Sequence, residues 1–440
     1  MTAEMLLRPM KLLVLGDFSG KPSSERVPLA ERPTQRVDLD NLDAVMKRMA
    51  PRVQLPGGEI RFERLDDFHP DRLYQHVDVF TALRAARQNV PAVNDDLLGR
   101  LLGTKERSQG VPADTARGPD ATPAAPAATG LDALIRDVVA PHIVKNAPQA
   151  EAYVAGVDAA IAEQMRNVLH HPAFQELESA WRGVQWLIQS IELDEMLQLY
   201  LLDVARGELL GDIVSAKGRI ADTGLHRALV DRWRSVPGEH GWSALAALFD
   251  FGPSDVDVGL LAALGLIASE AGGPVFAAGN QSVVDAEGGA AAWQRLRRSE
   301  AAQWIGLAAP RVLLRLPYGK ASDPIESFAF EELAGSAAHR DFLWGNPALA
   351  LMILIGRSFT ARGWEMEPGD EREIGDMPAY TFERDGTREM QAGAEEYITE
   401  SRIQALLTAG LIPIASRRDR NAVVAIRFQS VSDPPAALAW

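Results

Sequence analysis

The apolar positions Phe174, Leu177, Trp181, Val184 and Ile188 recur at spacings of three and four, which places them on one face of a helix. Pro172 suits the first turn of that helix, where its missing N–H costs nothing. Burying these five side chains contributes roughly 8–15 kcal/mol before entropy is counted. A second stripe, Val157, Ile161, Met165 and Val168 with Gln164 beside it, predicts a helix just upstream. Further helices are predicted at Asn41–Ala50, from His69–Pro70 onward with Leu73, Val77, Phe80 and Leu83 on one face, and at Asp255–Ala271, Pro347–Arg362 and Glu395–Ala409. Short apolar runs predict strands at Leu12–Leu15, Leu199–Val204, Ala246–Phe251, Pro274–Ala278, Arg311–Leu316, Leu411–Ala415 and Val423–Phe428. This alternation predicts the α/β class, with mixed sheets covered by helices.

One stretch breaks the pattern. From Thr104 to Gly130 the chain is rich in Ala, Pro, Gly and Thr, and Val111 is its one bulky aliphatic residue. Such a composition buries too little apolar area to offset its ordering entropy, so it reads as a tether. The chain then divides into a module at 1–103, a linker at 104–130 and a larger module at 131–440.

Composition narrows the function classes. The 440 residues contain no cysteine, which excludes disulfides and thiol catalysis and is compatible with a cytoplasmic protein. A formal charge of −15 opposes nonspecific contact with nucleic acid or anionic membrane. Glu4 and Arg8 before a very short apolar run make a poor signal peptide, and Ala348–Ile355 is too short to span a bilayer. A cytoplasmic location without membrane insertion is expected.

Catalytic chemistry is sparse. GDFSGK, Gly16 to Lys21, has one residue too few between its glycines for a phosphate loop, and Pro22 stands where a Ser or Thr would bind magnesium. His170 and His171 are adjacent and lack a ligand at the i+4 spacing of a zinc helix, so capping and packing is the simpler role. Asp255 with Asp257, and Asp66 with Asp67, sit where acidic residues favour helix starts. Glu331 and Glu332 read as a solvated face. Arg295, Arg297 and Arg298 read as an exposed helix face, with contact to a neighbour's acidic surface as the sharper alternative. Tyr318 and Trp344, beside Gly and Pro, could anchor an interface or plug a core, with the core favoured. No catalytic, cofactor or metal residues are expected, and the chain is not read as an enzyme.

The wording of several segments carries a resemblance. HHPAFQELESAWRGVQWLI (170–188), WIGLAAPRVLLRLPYG (304–319), SFAFE (327–331), FLWGNPA (342–348), GDMPAYTFE (375–383) and the stretch 396–431 resemble, in order, the large subunit of the type VI secretion contractile sheath, the TssC or VipB family. LLVLGDFSG (12–20), RVDLDNLDAVMKRMAPR (36–52) and FERLDDFHPDRLYQHVDVF (62–80) resemble the small subunit, TssB or VipA. The signature residues so matched are Asp17, Asp67, Phe68, His69, Pro70, His171, Pro172, Trp181, Arg182, Gly183, Arg315, Pro317, Tyr318, Gly319, Trp344, Gly345 and Asn346.

The resemblance implies a sheath-like fold, with a small-subunit module packed on a larger one. It implies a mechanical role: self-association, or assembly with other sheath subunits, into a helical tube around an inner-tube protein. Contraction of that tube drives translocation, with a baseplate and in some members a AAA+ disassembly ATPase as partners. Relative to the family pattern the chain is short at both ends and compressed between Arg206 and Trp242. Two readings follow: a fused small–large protomer, or a sheath-like adaptor, cap or baseplate-associated protein that docks without propagating.

Overall fold

The computed structural model describes residues 8–88, 149–280, 282–285, 291–334, 338–384 and 386–440. The expected linker at 104–130 lies outside the described residues.

The first strand, β1 (Met10–Gly16), is apolar almost throughout, and such a run needs cover on both faces. It sits between β5 (Leu197–Asp203) and β6 (Ala244–Phe251), parallel to both, with Met10 opposite Leu197 and Leu12 opposite Ala244. Four more strands extend the sheet beyond β6, so that β7 (Val275–Gly279), β8 (Ile305–Ala309) and β14 (Leu411–Ser416) are parallel and β15 (Val423–Ala425) is antiparallel. The edges are β2 (Gln35–Val37), antiparallel to β5, and β11 (Glu373–Ile374), antiparallel to β15. The nine strands run in the order β11-β15-β14-β8-β7-β6-β1-β5-β2. Three two-stranded ladders stand apart: β3 (Arg52–Leu55) with β4 (Gly58–Arg61), β9 (Val312–Leu313) with β10 (Trp344–Gly345), and β12 (Tyr380–Arg384) with β13 (Thr387–Gln391).

Alternation along β1 divides the interior. Leu12 and Val14 face one core, which holds α1 (Leu42–Met49), α2 (Pro70–His76), α3 (Val79–Gln88), α4 (Gln149–Leu169), α5 (Pro172–Ser190) and, further along, α9 (Ala348–Arg362). Leu13 and Leu15 face the second core, beneath α6 (Arg206–Ser215), α7 (Asp255–Ala271), α8 (Ala291–Arg297) and α10 (Glu400–Thr408). The expected α/β class is the observed one, and strands from the front stretch complete a sheet built mostly by the rear stretch.

Several expected boundaries shift for identifiable reasons. The run with Leu73, Val77, Phe80 and Leu83 is buried as expected, but the helix breaks at Val77, whose backbone is extended, giving α2 and α3. The strand expected at Arg311–Leu316 shrinks to β9, and the long strand at this point is β8, in WIGLAA. The helix expected from Glu395 starts at Glu400, where Thr399 caps it by accepting from Arg402 N–H. Asp255–Ala271 is observed with those bounds: Ser254 caps it, and Gly272 closes it at φ 111°.

Candidate functional site: the seam between the two halves

Two His-Pro pairs open the helices that meet at the seam. His69 Nδ1 accepts from Asp71 N–H at 3.2 Å, and His171 Nδ1 accepts from Ala173 N–H at 3.3 Å. Each is an N-cap, with proline in the first turn behind it. Asp67 Oδ2 similarly accepts from Glu63 N–H at 2.7 Å and Arg64 N–H at 3.0 Å, fixing the turn before His69.

Aromatic contacts join the halves. Phe62 and Phe68 stack at 4.1 Å between centroids and both meet Phe174 of α5 edge-on. Trp181, fully buried, meets Phe18 edge-on at 5.4 Å and donates its Nε1–H to the Phe18 carbonyl at 2.9 Å. His69 meets the buried ring of Tyr318 edge-on at 5.0 Å. Asp71 accepts from the N–H groups of Ser327 at 2.9 Å and Glu326 at 3.1 Å. Burial pushes the Asp71 carboxyl up, but these hydrogen bonds outweigh it and hold it below the usual range. Arg87, at the end of α3, donates to Ser327 O at 2.9 Å and pairs with Asp158 of α4 at 2.8 Å.

The GDFSGK turn grips an anion, and that anion belongs to the chain. Asp203, at the end of β5, accepts from Phe18 N–H at 2.9 Å, Ser19 N–H at 3.0 Å, Ser19 Oγ–H at 2.6 Å and Arg26 Nη1–H at 3.2 Å. Arg26 also donates to Asp17 at 2.6 Å, and Arg32 donates to Glu208 of α6 at 2.9 Å and to the Asp203 carbonyl at 2.7 Å. A nest of N–H groups that elsewhere cradles phosphate here fastens two strands.

Behind the aromatic seam lies a buried charge network. Arg315 donates to Glu178 at 2.9 Å and to Glu332 at 2.8 Å, and its guanidinium lies 4.2 Å from the Tyr318 ring centroid. Arg182 donates to Glu178 at 2.6 Å and to Tyr318 Oη at 2.8 Å. Burial opposes the Glu332 charge, yet Arg315, His170 and the Tyr318 N–H prevail, and its pKa falls to about 2. Burial raises Tyr318 to about 12 against the pull of both arginines. Burial opposes the charge on Arg315 too, but the two glutamates hold its pKa well above the usual value. His170 Nε2 stands 3.5 Å from Glu332, too long for a good hydrogen bond.

Two expectations are corrected here. Glu332 is 1% exposed and sits inside this network, because the loop after Tyr318 folds back over α5; it is not part of a solvated face. Arg297 is likewise buried, donating to the carbonyls of Thr408 and Val431 at 3.0 Å and Ser432 at 3.2 Å, whereas Arg295 and Arg298 are exposed. A satisfied guanidinium clamps the C-terminal segment from within.

The other signature residues form a second corner. Trp344 is buried, donates Nε1–H to His339 O at 2.8 Å and accepts at its carbonyl from Ser179 Oγ–H at 2.7 Å. Asn346 donates to Phe249 O at 3.3 Å and accepts from Ala348 N–H at 3.0 Å. A Cβ on Gly183 would lie 2.4 Å from Leu349 Cδ1, so any larger residue there displaces the end of the Leu349 side chain where α5 packs on α9. Pro317 and Gly319 are buried beside the network, and Gly345 is buried in β10. The seam thus unites Asp17, Phe68, His69, Pro70, His171, Trp181, Arg182, Arg315 and Tyr318, while Gly183, Trp344, Gly345 and Asn346 lie at the neighbouring corner.

Between the two corners, at the carboxyl ends of the central strands, a cleft of about 700 Å³ is lined by Asp17, Glu176, Arg206, Asp250, Arg311 and Trp344 among others. Burial raises the carboxyls of Asp17, Glu176 and Asp250, and neighbouring carboxylates add to each rise. Among the described residues, no group of three His, Cys, Asp or Glu is placed to hold a metal, and no helix is long and apolar enough to cross a membrane.

The residues that sequence reasoning missed are Arg26, Arg32, Asp71, Glu178, Asp203 and Glu332. Glu178 carries a legible signal, a carboxylate within the apolar face of α5 and four residues before Arg182. Asp203 and Arg26 carry none, since their meeting depends on strand order.

Residues 151–290 and 287–432 match the VipB family, described as EvpB/VC_A0108, tail sheath N-terminal domain. Residues 3–106 match the family described as Type VI secretion system, VipA, VC_A0107 or Hcp2. The type VI secretion system sheath protein TssC1 of Pseudomonas aeruginosa is 31% identical over 308 residues, which are 64% of this chain and 61% of TssC1. TssB1 of the same organism is 37% identical over 90 residues, 18% of this chain and 52% of TssB1. The chain therefore spans about three fifths and about half of these relatives' lengths. A solved chain in the cryo-EM structure of the anti-feeding prophage baseplate matches with a TM-score of 0.32 at 15% identity, covering 58% of this chain and 51% of that one. With a VipA-type stretch and a VipB-type stretch sharing one sheet, this chain belongs to the VipB family of type VI secretion sheath proteins and carries its small-subunit counterpart on the same polypeptide.

Proposed function

We propose that this chain is a fused small–large protomer of a contractile sheath, with residues 1–103 and 131–440 as its units and 104–130 as the tether. Its work is mechanical and needs no active site. Identical protomers in repeated, non-closing contact build a helical tube. Two lattice arrangements of different energy let that tube contract around an inner-tube protein, from a baseplate and within the cytoplasm. The observation that carries the reading is β1, a strand from the VipA-type stretch hydrogen-bonded on both sides by strands of the VipB-type stretch. A pair interleaved this way moves as one rigid body, which a force-transmitting wall requires.

A second reading, a sheath-like adaptor or cap, draws on the sheet edges. β2 has three residues and β11 two, and the β11 edge carries the Glu373–Arg420 ion pair. Short, charged edges resist strand addition, so such a chain would dock on a sheath without extending it. Electron microscopy of the purified protein, alone and with the inner-tube protein, decides between them. Long tubes support the protomer, single particles capping added sheath fragments support the adaptor, and inert monomers under both conditions overturn both.

A further inference from the structure

The cleft beside the seam lies where a sheet of this order opens a crevice. The helices described between β1 and β5 cover the face of Leu12 and Val14, whereas α7, between β6 and β7, covers the opposite face. β1 and β6 are parallel neighbours, so their connections part at the carboxyl ends, the place where open α/β sheets hold ligands. β6 also bulges against β7 between Ala247 and Asp250, and Leu248, Phe249 and Asp250 all line the opening. Its volume of about 700 Å³ is that of a small-molecule site and far exceeds the needs of a single ion. Charge around it is unevenly matched. Arg206 pairs with Asp257, Arg311 takes Glu395 through hydrogen bonds of 2.7 and 3.0 Å, and His339 Nε2 stands 2.9 Å from the same glutamate. Asp17 is held by Arg26, and Arg340 lies 3.7 Å from Asp341. Among the described residues, the carboxylates of Glu176 and Asp250 have neither a hydrogen bond nor an ion pair, although both line the cleft. Burial raises both; Asp17 and Asp250 raise Glu176 further, and Arg311 and Arg206 offset only part of the rise at Asp250.

We propose that this cleft binds an organic cation, an alkylammonium or guanidinium group held by Glu176 and Asp250 with its alkyl part against the apolar lining of Leu248, Phe249 and Leu349. The site goes beyond the sheath reading and does not depend on it. The lining itself selects the ligand. An anion would have to compete with Asp257 and Glu395 for guanidinium groups that they already hold. A divalent metal needs six or more oxygens around it, and two carboxylates beside apolar side chains do not complete that shell. An organic cation meets both features at once: its N–H groups donate charge-assisted hydrogen bonds to the carboxylates, and its methylenes leave water for the apolar lining. The net charge of −15 draws cations toward the chain as a whole. The same chemistry is carried by a free amine or guanidine and by the lysine or arginine side chain of a partner polypeptide.

Titration calorimetry of the full chain tests this with three probes: n-propylguanidinium as the free cation, a capped Gly-Arg-Gly peptide as the side-chain form, and capped Gly-citrulline-Gly as its uncharged isostere. Both cations should bind at one site per chain. The citrulline peptide should bind at least tenfold more weakly than the arginine peptide, since a hydrogen bond between charged groups is worth about that factor. The Glu176→Gln/Asp250→Asn variant should lose at least tenfold in affinity for both cations, with a melting temperature no lower than the parent's, because neither carboxylate is bonded within the chain. The Asp40→Asn/Asp43→Asn variant, at exposed carboxylates elsewhere, should bind like the parent. Tighter binding of the arginine peptide than of n-propylguanidinium assigns the site to a partner polypeptide, and the reverse order assigns it to a free small cation. Equal binding of the arginine and citrulline peptides, binding that survives the double substitution, an equal loss in the Asp40 and Asp43 variant, or no heat from either cation at millimolar concentration would overturn the proposal. Should the double variant not fold, the comparison of arginine with citrulline on the parent chain decides alone. None of these outcomes bears on tube formation, so the sheath reading stands or falls separately.

Discussion

Trp181 joins the halves through both its ring and its Nε1–H. Trp181→Phe keeps most of the apolar area but strands the Phe18 carbonyl, a loss of about 1–3 kcal/mol for a buried acceptor. Trp181→Ala should cost about 3–5 kcal/mol through the cavity it leaves. Urea denaturation of the two variants checks that order. Glu332 supplies a pH test. Its folded pKa, about 2, lies below the ordinary 4.5, so its contribution is fully present above pH 4.5 and is lost as pH falls toward 2. That depression corresponds to roughly 3 kcal/mol. Glu332→Gln should flatten this acid limb and, by leaving Arg315 half-compensated, lower stability at neutral pH by about 3–5 kcal/mol. Tyr318 sets the opposite limb: with a folded pKa of about 12 against 10, its contribution holds below pH 10 and is lost between 10 and 12. Unfolding free energies measured from pH 2 to 5 and from pH 9 to 12 locate both limbs.

At the scale of elements, β1 is the critical piece. It completes both ladders and contributes residues to both cores, so Leu13→Asp places a charge beneath α6 and α7 that no partner meets. The expected outcome is a soluble yield near zero, or in any soluble fraction rapid proteolysis of the whole chain and not of its front stretch alone. Asp203→Ala tests the fastening of the turn. It releases two N–H groups, a hydroxyl and Arg26 together, and hydrogen exchange at Phe18 and Ser19 should rise at least tenfold, whereas exchange within α9 should not change. Long periodic elements were legible in the sequence: α5 and α7 lie where spacing and caps put them, because an amphipathic stripe and a Ser or His-Pro start are local signals. β8 was not legible, since the apolar run in WIGLAA precedes the motif LLRLPYG that looks more strand-like. LLRLPYG instead folds around Arg315 once the buried glutamates claim that side chain.

For the whole molecule, the seam is expected to hold the halves together by itself. A protease site placed between residues 104 and 130 and cut to completion should leave both pieces eluting together at one to one, because β1 remains locked between β5 and β6. Separation of the pieces under native conditions would mean that the tether alone keeps the strand in place. Composition, apolar periodicity and family wording were enough to establish the α/β class, a VipA-type stretch ahead of a VipB-type stretch, and most long helices, because each is written in neighbouring residues. The insertion of β1 between β5 and β6, the capture of Asp203 by the GDFSGK turn and the burial of Arg315 and Glu332 belonged to the tertiary structure alone. Each joins residues far apart in the chain, and a side chain's desolvation and charge balance depend on what packs against it, which local sequence does not encode.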